Sequence, residues 1–247
     1  MSILVTPRPQ PAPAAVPPLL SFAAGFIDSY TALALFGLFV AQVTGSFVLA
    51  AVAFVTHEQG AATKILAIPV FLLAAVVTTV LAVTVERRGR PALAWCLGLE
   101  SAVLTAFLIA VAVGAPLTNP NATAVIVASL LGLAAMGIQS ATVRLPMRSV
   151  ASTNVMTTNT TQIAIDATEF VLAWLARRRA PADAVVADAF ARSRERCAGL
   201  VPIMLGFLLG TAAGTIAYVM TGLWGLLMPL AIMYGIFAWA TMRQATV

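Results

Sequence analysis

Charge is what this chain has least of. Only 9% of its 247 residues are charged, against about 25% in an average soluble domain. With 61% apolar side chains, that shortage excludes an ordinary soluble fold and implies a polytopic membrane protein. Histidine occurs once, at His57 beside Glu58. No cysteine or second histidine stands at metal-ligand spacing from it, so no metal site is expected and His57 reads as a surface residue. The two cysteines are too few for a disulfide framework. Cys96 lies in an apolar run and Cys197 beside arginines, and both are expected to be reduced and structural. A glycine-rich phosphate loop and a nucleophile elbow are also missing, so the chain is not read as an enzyme and no cofactor is expected. The net charge of +5 comes from basic residues set between apolar runs rather than along one face. Membrane topology explains that placement, and a nucleic-acid partner is excluded.

What is there is a series of long apolar runs, at residues 19–38, 65–85, 92–113, 122–143, 200–220 and 223–242. Each can cross about 30 Å of hydrocarbon as a helix. Two shorter runs, 44–56 and 159–174, open with polar clusters and are expected to be re-entrant, broken or interfacial. Short cytoplasmic loops are enriched in Lys and Arg. With six crossings and the N-terminus inside, all thirteen arginines, from Arg8 to Arg243, fall on the cytoplasmic side and only Lys64 lies outside. Eight crossings would give nine against five, so six are expected, with both termini cytoplasmic. Residues 1–18, rich in proline and led into by no basic cluster, read as a disordered tail before an uncleaved first span.

Within the first span, Ala23-Ala24-Gly25-Phe26-Ile27-Asp28-Ser29-Tyr30 places a carboxylate in apolar surroundings, followed by Thr44-Gly45-Ser46. An unpaired charge at that depth costs at least about 2.5–3.5 kcal/mol, so function or packing must hold Asp28 there. A second copy appears as Ala135-Met136-Gly137-Ile138-Gln139-Ser140, followed by Thr157-Thr158-Asn159. Gly25 then matches Gly137, Asp28 matches Ser140, and the two threonine clusters match, which implies a duplicated unit. Residues 19–113 form the first repeat, 114–121 an external linker, and 122–247 the second repeat. Three spans per half is an odd number, so the expected fold is all-α with a 3+3 inverted repeat and two short broken helices. Ala74, Thr78 and Ala82 are spaced like Gly206, Gly210 and Gly214. These small residues predict that the second and fifth spans pack closely together. The arginine-rich insertion 177–196 reads as a solvated cytoplasmic loop, with anionic lipid headgroups as its candidate partner.

The motif Ala24-Gly25-Phe26-Ile27-Asp28, then Phe39-Val40-Ala41-Gln42-Val43-Thr44-Gly45-Ser46, resembles the signature of the YoaK-like bacterial membrane proteins, a family catalogued as a domain of unknown function. Gly137-Ile138-Gln139-Ser140, Val155 to Gln162 and Ile165-Asp166 resemble it again in the second half. The family usually shows Thr-Gly-Asn in both halves and Gln-Asn after the second-half glycine, where Ser46, Thr158 and Ser140 stand here. The resemblance implies a multi-pass protein of the bacterial plasma membrane and no established activity.

Threonine clusters opening half-helices suit N-capping, and the freed helix ends would aim their positive dipoles inward. Matched breaks in an inverted repeat point to a midplane site in secondary transporters. The expected function is therefore a transporter or channel for a small polar solute or ion. Asp28 is its proton or cation carrier, since burial favours the neutral carboxyl. Gln42, Thr44, Gly45, Ser46, Gln139, Ser140, Thr157, Thr158 and Asn159 are the candidate contacts. The structural reading makes Asp28 a partner for Gln139, Gln42 or free backbone N–H groups. Glu100 is a possible second titrating site or a partner for Lys64. Asp166 and Glu169 are expected to pair near Arg177. The alternative function is an accessory membrane protein that binds a partner or anionic lipid through its arginines. Homo-oligomerisation is left open.

Overall fold

The computed structural model describes residues 12–147, 151–153, 155–180 and 183–245. Most of the proline-rich tail with Arg8, and Arg148 after the fifth helix, lie outside the described residues. Within them the chain is all helix: α1 Val16–Ala34, α2 Val43–Thr56, α3 Ala61–Arg87, α4 Ala92–Gly114, α5 Thr123–Arg144, α6 Met156–Arg179, α7 Ala184–Thr221 and α8 Leu227–Ala245, with a 3-10 turn at Gly222–Leu226 joining the last two. Four stretches are long and apolar enough to cross a membrane: α3, α4, α5 and the continuous 184–243 segment.

Local chemistry sets the helix ends. α1 starts on Pro17 and Pro18, whose missing N–H groups cost nothing in a first turn. It ends where Phe36 and Gly37 take positive φ of 55° and 79°. α7 starts on Asp183, whose carboxylate accepts the Val185 N–H at 2.8 Å. The expected loop at 177–196 is thus largely two helix ends: Arg177, Arg178 and Arg179 complete α6, and α7 has begun by Ala184. Alanine and arginine are strong helix formers, and no glycine interrupts them. For the same reason α6 is 24 residues long, where a short apolar piece at 159–174 was expected.

The packing is reciprocal. α1 lies on α7 and α5 on α3; α2 lies on α3 and α6 on α7; α4 lies on α5 and α8 on α1. α4 and α8 meet each other, as do α1 and α5. Exchanging the first four helices for the last four therefore preserves these pairs. The glycine ridge also finds its partner here, and it is not the one expected. A Cβ on Gly206, Gly210 or Gly214 would run into the carbonyl oxygens of Pro18, Phe22 and Phe26 of α1, one turn apart on each helix. On the other side, a Cβ on Gly137 of α5 would lie 2.7 Å from the Phe71 oxygen of α3 and 3.0 Å from Ala74. The small residues of α3 and α7 thus bring each of them onto the first helix of the opposite half, rather than onto one another. α1 is consequently the most enclosed element, with Leu20, Phe26, Ile27 and Tyr30 all buried.

Candidate functional site

Two stretches of non-helical backbone, one before α2 and one before α6, are fastened to this core. Asp28 is 2% exposed, and its Oδ1 accepts the Ala41 N–H at 2.8 Å. The backbone N–H groups of Val40 and Gln42 and the Gln42 side chain face the same carboxylate. The acid therefore sits at the N-terminus of α2, where N–H groups lack intrahelical partners and negative charge is favoured. A carboxylate that accepts several N–H groups is satisfied without a counter-ion.

In the second half Gln139 does the equivalent work. It is fully buried, and its Nε2 donates to the Leu20 carbonyl at 3.0 Å and to Thr153 Oγ1 at 3.1 Å. Ser21 Oγ donates to the Thr153 carbonyl at 3.0 Å. Gln139 is thus bound to α1 and to the second break, and not to Asp28. α1 holds both breaks, the first through Asp28 and the second through Leu20 and Ser21.

The helix starts themselves are built alike. Gln42 and Val155, the residues before α2 and α6, share φ near −100° with ψ of 67° and 73°. Neither helix has a side-chain cap, and the two threonine clusters lie within the first turns of α2 and α6, so they do not perform the capping role expected of them. Ser46 Oγ donates to the Phe39 carbonyl at 3.1 Å, and Asn159 Nδ2 to the Ser152 carbonyl at 2.7 Å, each reaching back seven residues. Ser46 and Asn159 are buried, while Gln42, Thr44, Thr157 and Thr158 are exposed and Gly45 and Ser140 half-buried. The side chains that reach back are thus the last of each cluster, because only these face the extended arm instead of the outside. α2 packs on α3 and α6 on α7, with no extensive contact between α2 and α6. The two clusters are therefore held apart rather than gathered around one cavity.

Other polar groups also chose partners the sequence did not indicate. Lys64 pairs with Glu58 at 2.9 Å, not with Glu100. Asp166 pairs with Arg196 at 2.9 Å and Glu169 with the same guanidinium, while Arg177 lies 5.0 Å from the centre of the Phe190 ring. Glu100 is fully buried, and neither of its oxygens has a hydrogen-bond partner among the described residues. Cys96 and Cys197 are free thiols, and no group of three or more potential metal ligands occurs among the described residues. A cavity of about 820 Å³ opens between the end of α3, the start of α4 and α8, bordered by Arg90, Trp95, Gly98 and Phe237. It touches neither break.

Helices of this length and apolarity, with polar backbone breaks tied into the core, define a membrane-type helical protein. The family described as "Protein of unknown function (DUF1275)" matches residues 17–239, and the chain belongs to that family. No curated protein and no solved structure matches it.

Proposed function

We propose that this protein is a secondary transporter or channel for a small polar solute or ion, built as a 3+3 inverted repeat with six crossings in a bacterial plasma membrane and both termini cytoplasmic. The observation that carries the reading is the pair of broken helices anchored along α1. Non-helical backbone at membrane depth is tolerated only where protein or water covers it, and such breaks at matched positions of a repeat mark binding sites in transporters. Ser21 and Asp28, the α1 residues at the two breaks, are separated by roughly 10 Å along the helix axis at 1.5 Å per residue. The arm before α2 returns to the depth of Asp28 after α1 has ended, so α2 is a re-entrant helix running back out. The arm before α6 returns to the depth of Ser21 and Gln139, and α6 leaves toward the cytoplasm.

In this reading the solute passes the two helix N-termini that face inward from opposite sides; the N–H groups before α2 are taken by Asp28, so the α6 end is the one that offers donors to a polar group. Asp28 is the anchor of the first break. A proton carried on it would weaken the acceptor that Ala41 uses. The arginine end of α6, with Arg178 stacked 3.8 Å from the Trp174 ring centre, lies at the headgroups and favours anionic lipid there.

The test is solute and ion flux in proteoliposomes, measured for the native protein, Asp28→Asn and Asp28→Ala. Flux above protein-free vesicles is expected from the native protein. Asparagine keeps one acceptor and retains flux in part, whereas alanine frees the break and loses it. Absence of flux across a broad panel of small ions and polar solutes would overturn the reading in favour of an accessory protein.

A further inference from the structure

Asp28 and Glu100 are both buried acids in long helices, and their surroundings are opposite. Asp28 is met by backbone donors. Glu100, in the middle of α4, is 0% exposed, and both of its oxygens lack a partner among the described residues. The helices packed against α4 are α3, α5 and α8, with the 3-10 turn. Their titratable side chains are Lys64, Glu86 and Arg87 on α3, Arg144 on α5, and Tyr234 and Arg243 on α8. None forms a hydrogen bond or ion pair with Glu100. Lys64 is held by Glu58, and Tyr234 by Thr105 at 2.9 Å. One turn before Glu100 on the same face, Cys96 turns its thiol to Thr142 of α5. An ionised Glu100 would have given up water and received no donor in exchange, which is the most costly state for a carboxylate. The neutral acid is compatible with these surroundings.

Where one buried acid is held by backbone donors and another by none, the roles of anchor and proton carrier separate. We propose that Glu100 is the proton-exchanging group of the transport cycle: it holds a proton while α4, α5 and α8 are closed around it, and releases it when water or a cation reaches it between them. This assignment rests on the transport reading for its purpose, but not for its first test.

That test is labelling of the full-length protein in lipid with dicyclohexylcarbodiimide over a range of pH, with adducts located by peptide mass spectrometry. The reagent adds a protonated carboxyl across its C=N bond and rearranges to a stable N-acylurea, so it reports neutral acids in apolar surroundings. An adduct at Glu100 that falls as pH rises is expected, and it should persist to higher pH than any adduct at Asp28. Labelling at Asp28 and not at Glu100, or labelling at neither, would overturn the assignment. The second arm compares Glu100→Gln with the native protein in proteoliposomes. The variant is expected to keep solute exchange between equal pools but lose accumulation driven by a pH gradient. Gradient-driven accumulation unchanged in Glu100→Gln would also overturn it. Labelling of Glu100 in a protein that moves no solute would sink the transport reading alone. Flux without Glu100 labelling would sink this assignment alone.

Discussion

Replacing Gly210 by alanine perturbs the α1–α7 contact at its closest point. The new Cβ would meet the Phe22 carbonyl carbon at 2.8 Å and its Cα at 2.9 Å, with the carbonyl oxygen nearer still. Carbon atoms sit comfortably at about 3.5–4.0 Å, so α7 must retreat by at least about 0.7 Å. Every atom on the obstructing side is backbone, which has no rotamer to offer. The retreat also lifts Gly206 and Gly214 from Pro18 and Phe26, and a gap of this size forfeits about a quarter to a half of each contact's attraction. Overpacking of this kind costs about 1–3 kcal/mol, and a backbone-to-backbone clash belongs at the upper end. Alanine returns up to about 1 kcal/mol through helix propensity. Gly210→Ala is therefore expected to destabilise by about 1–2 kcal/mol. Gly235→Ala on α8 has nothing within 4 Å of its Cβ, and is expected to be neutral or slightly stabilising. Reversible unfolding in detergent micelles, run on both variants side by side, measures the difference. Equal stability of the two would refute the reasoning that the ridge sets the α1–α7 distance.

Asp28→Ala leaves the buried Ala41 N–H without its acceptor, at a cost of about 1–3 kcal/mol. Amide exchange at residues 40–42 should accelerate well before exchange in α1 itself. Ser46→Ala and Asn159→Ala each remove one bond to a carbonyl seven residues back. Each should cost about 0.5–1.5 kcal/mol and loosen only its own arm, which exchange mass spectrometry can resolve by half. Arg196 serves both Asp166, whose side chain is 3% exposed, and Glu169. Arg196→Ala should therefore separate the ends of α6 and α7 in a way that Arg192→Ala, on an exposed pair, does not. Limited proteolysis around residues 177–196 distinguishes the two.

Much of this was legible because membrane burial makes polar residues conspicuous. Asp28 and Gln139 stand out against apolar neighbours, and both prove to fasten a break. The matching of Ser46 with Asn159 came from their place in two similar clusters, and the two side chains make the same backward bond. What the sequence withheld was partnership. A ridge of small residues says which face of α7 is flat, but not that the carbonyls of α1 lie against it. Threonine at a helix start suggests a cap, yet the extended arms place carbonyls where the next buried side chain reaches them first. α6 read as short because its polar beginning and arginine-rich end hide a continuous helix from any apolar count. That Glu100 has no partner follows from what surrounds α4, and no spacing along the chain encodes it.

The proposed inverted arrangement requires two re-entrant arms that approach the middle of the membrane from opposite faces, and one measurement tests this directly. In a background lacking Cys96 and Cys197, single cysteines at Thr44 and Thr157 are exposed to a membrane-impermeant thiol reagent, added from one side of sealed vesicles at a time. Position 44 should react only from the external face and position 157 only from the cytoplasmic face. Reaction of both from the same face would contradict the inverted arrangement and the transport reading built on it.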